Sequence, residues 1–95
     1  MTDELDALRS EIDALDGEIV GLLNRRARLA LQAARTKTRS GRPIIDLERE
    51  REVLVRVAMA NDGPFPQEAL LALYRQLMET ITRLEELEQS GSRPE

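Results

Sequence analysis

Apolar residues recur along the first part of the chain at Leu5, Leu8, Ile12, Leu15, Ile19 and Leu22, in alternating steps of three and four. That rhythm draws one apolar stripe down a helix, with the spacing of a coiled-coil seam. Thr2 or Asp3 can cap its start. Gly17 and Gly21 lie off the stripe, no proline occurs before Pro43, and Gly41 is the first natural stop. The pattern predicts a helix from about residue 3 to about residue 38, roughly 50 Å long at about 1.5 Å per residue. After a loop at Ser40–Pro43, Asp46 offers an N-cap and Glu48 an acidic first turn to a second helix. That helix carries Val53, Leu54 and Val57 and is expected to end near Ala60. "NDGPFP" (Asn61–Pro66) is dense in turn formers, and Pro66 suits the first turn of a third helix with a seam at Leu70, Leu73, Leu77, Ile81 and Leu84. Residues 90–95, "SGSRPE", read as a disordered tail, which leaves residues 1–89 as one domain. The expected fold class is all-α: three helices, one long, one short and one medium.

The lengths do not match. The first helix is more than twice as long as the second, and its apolar stripe runs its whole length. Two shorter helices cannot cover a stripe of roughly 50 Å and also fill their own faces. Small chains with such stripes complete their cores by oligomerising. The expectation is an intertwined homodimer with the two long helices packed together.

Composition narrows the chemistry. The 95 residues include no cysteine and no histidine, so disulfides, Cys/His metal sites and histidine acid–base catalysis are excluded. The net charge of −4 argues against a general nucleic-acid role, since phosphate binding needs a basic field. No stretch is apolar enough to span a membrane and "MTDELDAL" lacks a signal-peptide pattern, so the expected compartment is the cytoplasm.

Charged residues then interrupt the apolar stripes. Past Leu22 the first seam continues through Arg26, Leu29 or Ala30, Ala33 and Lys37. Arg26 and Lys37 are 11 residues apart, so they point within about 20° of each other, with Cα atoms roughly 16 Å apart. They either snorkel from a fraying seam or converge on one small anion. On the second helix Asp46, Arg49, Glu50, Val53 and Val57 share a face, read either as a cap with surface ion pairs or as charges aimed inward. On the third, Tyr74, Met78, Ile81 and Glu85 form a stripe that ends in a carboxylate. Arg9 precedes Arg26 by 17 residues, roughly 25 Å along the helix, beyond reach of that chain's own Arg26 and Lys37. It is either a rim salt-bridge residue or, in an antiparallel pair of long helices, a contributor to the partner's pocket. The sum is a dry pocket inside a helical dimer, with several cations and few acids, suited to a small dianion. With no nucleophile–base pair and no phosphate loop, its chemistry must run on electrostatics and shape, and no cofactor is expected.

Three stretches, "LRSEIDALDGEIVGLLNRRARLA", "RTKTRSGRPIIDLEREREVL" and "LYRQLMETITRLEE", resemble the all-helical, intertwined-dimer chorismate mutases from Leu5 to about Glu88. The resemblance implies conversion of chorismate to prephenate, on the way to phenylalanine and tyrosine. It implies that Arg26 and an Arg9 from the other subunit hold substrate carboxylates, and that Lys37 contacts a carboxylate and the ether oxygen. Arg49 would support the pocket's charge, and Asp46 and Glu50 would meet the ring hydroxyl. Glu85 falls where many relatives face the ether oxygen with glutamine and others with glutamate. Ile81 falls where many place a serine near the ring carboxylate. The loop "NDGPFP" resembles that of mutase domains fused to DAHP synthase, which implies a regulatory domain of that enzyme or a free mutase docking to it. An isochorismate pyruvate lyase shares the bundle, but "PIIDLERE" is more similar to the mutases. From a different class, a non-catalytic helical dimerisation module also fits the stripes.

Overall fold

The structure, a computed structural model, describes residues 3–91. Three helices follow one another: α1 (Glu4–Arg39), α2 (Leu47–Ala60) and α3 (Gln67–Gln89). Each boundary has a local cause. The Asp3 side chain accepts from the Asp6 N–H at 2.8 Å and starts α1; Thr2, the other candidate cap, lies outside the described residues. Asp46 does the same for α2, accepting from the Arg49 N–H at 3.0 Å. Pro66 stands at the N-cap of α3, one residue earlier than the first-turn position the sequence suggests.

The end of α1 is a Schellman turn. Gly41 adopts φ 74°, its N–H donates to the Thr38 carbonyl at 3.1 Å, and the Arg42 N–H donates to the Lys37 carbonyl at 2.7 Å. This turn reverses the chain so that Pro43–Ile45 run back beside the last turn of α1. Between α2 and α3, Asn61 organises the loop by accepting from the Gly63 N–H at 3.1 Å and donating to the Phe65 carbonyl at 3.0 Å. Ser90 caps α3 and Gly91, at φ 85°, follows it, so the first two residues assigned to the tail close the helix; residues 92–95 lie outside the described residues.

α3 packs against both α1 and α2, whereas α1 and α2 make no mutual Cα approach within 8 Å among the described residues. The chain is a slab of 59 × 32 × 16 Å, less than two helix diameters thick. Its radius of gyration is 17.0 Å, against about 12 Å for a compact domain of this length. Only Ala34, Met78 and Ile81 are buried among the described residues. The stripe Leu5, Leu8, Ile12, Leu15, Ile19, Leu22 stays 50–58% exposed.

Two seams differ from the sequence expectation. On α1 the residue pressed against α3 is Ala34, flanked by half-buried Ala27 and Leu31, and Leu29 is exposed. The alanines of "RARLALQAAR" let α3 come close, and this packing face lies beside the seam that carries Arg26 and Lys37. On α3 the inward line runs through Met78 and Ile81, while Leu73 is 56% exposed. A helix wedged between two others buries the bisector of two faces, not the centre of one leucine stripe.

Candidate active site

Because α1 and α2 stand apart on a floor of α3, a gap remains between them, and it forms a cavity of about 480 Å³. That is the size range of small-molecule sites. Arg26, Ala30, Ala33 and Lys37 line it from α1, Glu50 and Val53 from α2, and Met78, Ile81, Thr82 and Glu85 from α3. Ile44, Ile45 and Asp46 close it from the loop, with Arg49 at the start of α2. Seven of the eight residues singled out from sequence therefore meet here. Arg9 does not: it is exposed on the N-terminal half of α1, outside the cavity of its own chain.

The Schellman turn sets Lys37 in place. Its carbonyl accepts from Arg42, and its Nζ donates to the Ile44 carbonyl at 3.3 Å. The ammonium is thus held at the cavity wall with further donor capacity free. Arg26 lies with its guanidinium carbon 6.0 Å from the centre of the Tyr74 ring, a cation–π contact that steadies it from the α3 side. Asp46 has a double position: its carboxylate caps α2 while also lining the cavity. Arg49 reaches Glu52 at 3.4 Å, an exposed pair, so part of its charge is turned to the surface.

The cavity is less cationic than the sequence suggests. Arg26, Lys37 and Arg49 are matched by Asp46, Glu50 and Glu85. The pKa of Glu85 is raised, which favours its neutral form more than in an ordinary glutamate. Burial is the main cause, opposed by the Lys37 ammonium and then Arg26, and reinforced by Glu50 and Glu86. A protonated Glu85 leaves three cations against two carboxylates, one of them engaged as a helix cap.

Ile44, Ile45 and Thr82 are lining residues that sequence reading does not single out. The isoleucines had a signal, an apolar pair pinned between Pro43 and the cap Asp46. Thr82 had none beyond its place next to Ile81.

A thin all-helical layer whose mostly apolar pocket gathers a lysine, two arginines and three carboxyl groups defines a class: helical proteins suited to holding a small anion by shape and charge. Residues 8–86 match the chorismate mutase type II family, and the chain belongs to it. It is similar to the bifunctional chorismate mutase/prephenate dehydratase of Aquifex aeolicus, 42% identical over 87 residues, covering 87% of this chain and 24% of that protein. It is also similar to the 4-amino-4-deoxychorismate mutase of Streptomyces venezuelae, 36% identical over 85 residues, covering 88% of this chain and 82% of that one. Among solved structures, chorismate mutase (form II) of Thermus thermophilus superposes with a TM-score of 0.84 at 37% identity, covering 88% of this chain and 96% of that one. The chain spans about a quarter of the length of the bifunctional relatives. No helix among the described residues is long and apolar enough to cross a membrane.

Proposed function

We propose that this chain is a chorismate mutase that works as a homodimer, rearranging chorismate to prephenate. The observation that carries the reading is the convergence of Arg26, Lys37 and Glu85 from two helices on one cavity. In the rearrangement the ether C–O bond breaks as a C–C bond forms within the same molecule, and no proton or cofactor enters the balance. Arg26, with the partner's Arg9, holds the substrate carboxylates and keeps the enolpyruvyl arm folded over the ring, removing the entropy of reaching that conformer. Lys37 and protonated Glu85 donate to the ether oxygen, where negative charge grows, so their contacts strengthen in the transition state. Arg49 adds to the positive field, and Asp46 and Glu50 face the ring hydroxyl. Ile81 offers an apolar wall where a serine would offer a hydrogen bond.

The exposed stripe from Leu5 to Leu22 supports the dimer. Covering the exposed half of six such side chains is worth about 5–9 kcal/mol before association costs. The same pairing brings the partner's Arg9 toward a site that its own chain cannot reach. A fused or docked second enzyme has two supports of unequal weight: named relatives join chorismate mutase to prephenate dehydratase, whereas DAHP synthase rests on the loop "NDGPFP" alone.

The deciding experiment adds chorismate to the purified chain, follows its loss and identifies the product. Prephenate is expected. Pyruvate released from isochorismate in a parallel assay would make the chain a lyase, and no turnover of either compound would leave a dimerisation module. In that last case, replacing Arg26 and Lys37 by leucine would stabilise the dimer and cost nothing. The same assay with 4-amino-4-deoxychorismate tests the substrate named for the Streptomyces relative, because the carboxylates of Asp46 and Glu50 can accept from a ring ammonium as well as a hydroxyl.

A further inference from the structure

One polar tie joins α1 to α3, and it lies outside the cavity. Arg35 Nε donates to Glu88 Oε1 at 2.5 Å, and Arg35 Nη2 lies 2.5 Å from the same oxygen. Among the described residues, no other side-chain hydrogen bond or ion pair connects two helices. Its position follows from helix geometry. Ala34 marks the line of α1 pressed against α3. At about 100° per residue, Lys37 stands about 60° to one side of that line and Arg35 about 100° to the other. On α3, measured at about 100° per residue from the buried Ile81, Glu85 stands about 40° to one side and Glu88 about 20° to the other. Lys37 and Glu85 thus occupy the cavity edge of the α1–α3 contact, and Arg35 and Glu88 its outer edge.

The last turn of a helix frays unless something holds it. α3 ends at Gln89, so Glu88 lies in that last turn and Glu85 just before it. The Glu88 side chain is only 22% exposed, whereas Arg35 is 54% exposed and free to reach across.

We propose that Arg35 and Glu88 are positioning residues, an ion-pair clasp on the outer edge of the α1–α3 contact that sets the separation of Lys37 and Glu85 on its inner edge. An exposed pair of this kind adds little to global stability; its work is geometric. The kinetic consequence rests on the mutase reading, and the positional one does not.

The test uses Arg35→Gln, Glu88→Gln and the swap Arg35→Glu/Glu88→Arg in the full chain, with circular dichroism to show unchanged helicity and melting. Two readouts apply: kcat on chorismate, and the titration of the Glu85 carboxyl followed by carbon NMR. Lys37 and Arg26 from α1, Glu50 from α2 and the adjacent Glu86 all act on that carboxyl. Both single variants should lower kcat by about fivefold, since a small misplacement remote from the chemistry costs on this scale, and the swap should return it to within about twofold. Both should also move the Glu85 midpoint in the same direction. A change of field alone predicts opposite directions, because one variant removes a positive charge and the other a negative one. Opposite shifts, unchanged values in both, or a swap no better than the single variants would overturn the clasp. If the wild type does not convert chorismate, the functional reading fails and the clasp stands or falls on the Glu85 titration.

Discussion

Glu85 holds its proton above the ordinary glutamate range although the Lys37 ammonium shares its cavity. Burial at the junction of α1 and α3 outweighs the attraction of the cation. A carboxylate at the breaking bond would repel the growing negative charge on the ether oxygen, whereas the protonated acid donates to it, as an amide does.

The sign of the pH dependence follows. If the protonated acid is the donor, a raised pKa keeps that form present further up the pH scale, and activity should fall as pH rises through the pKa of Glu85 in the complex. Glu85→Gln, whose donor does not titrate, should flatten that fall and hold activity at higher pH without raising the low-pH rate. Profiles of kcat and kcat/KM for both forms decide this. Identical shapes, with the wild type fully active in mildly alkaline buffer, would mean that Glu85 only pairs with Lys37 and orients it.

Gly41 is the residue on which the Lys37 wall turns. Open space surrounds the position where its Cβ would be, so a side chain there meets no clash, and the cost of one is conformational, set by φ 74°. Gly41→Ala should destabilise the protein by about 1 kcal/mol, and Gly41→Asn by less, because asparagine tolerates the left-handed region. Denaturant midpoints measure both. Equal losses, or none, would show that the turn does not depend on this backbone conformation.

How much of this was legible beforehand depends on range. The stop at Gly41, the cap at Asp46 and the length of α1 are local, and the chain spells them out residue by residue. The site was legible because Arg26 and Lys37 break an apolar stripe and Glu85 ends another. The rotation of α1 against α3, which chose Ala34 over Ala33 and Leu29, depends on how closely two helices approach, and no single helix encodes that. The Arg35–Glu88 pair spans 53 residues and leaves no periodic trace. The near balance of charge in the cavity is not legible in the sequence, because only the packing of α2 against α3 brings Asp46 and Glu50 beside Glu85.

The exposed stripe on α1 yields a prediction independent of catalysis. The protein should sediment as a dimer, with no stable folded monomer, because a slab 16 Å thick with three buried residues described has too little interior of its own. Analytical ultracentrifugation at low micromolar concentration is the check. A helical, compact monomer there would refute the pairing. Leu15→Lys, in the middle of the stripe, should cost both association and helicity together.

A dimer alone does not establish a shared site, and Arg9 offers the sharper test. In the proposed arrangement each site needs Arg26 from one protomer and Arg9 from its partner. Removing either arginine leaves a substrate carboxylate unpaired, so Arg9→Ala and Arg26→Ala should each lose roughly 100-fold in kcat/KM, about 3 kcal/mol. When the two variants are mixed under conditions of proven subunit exchange, half the dimers are mixed by statistics. In each of these, one site has both arginines and the other has neither, so about a quarter of all sites recover under two-fold symmetry. The reciprocal mixture separates sharing from general repair. A chain carrying both substitutions, mixed with wild type, forms mixed dimers in which every site lacks one arginine. Activity per total chain should then fall to about a quarter of the wild-type value, below the half expected if each protomer worked alone. Recovery in the first mixture together with this deficit in the second is the signature of a site built across the interface. A deficit of only one half, with no recovery in the first mixture, would return Arg9 to the rim of the dimer.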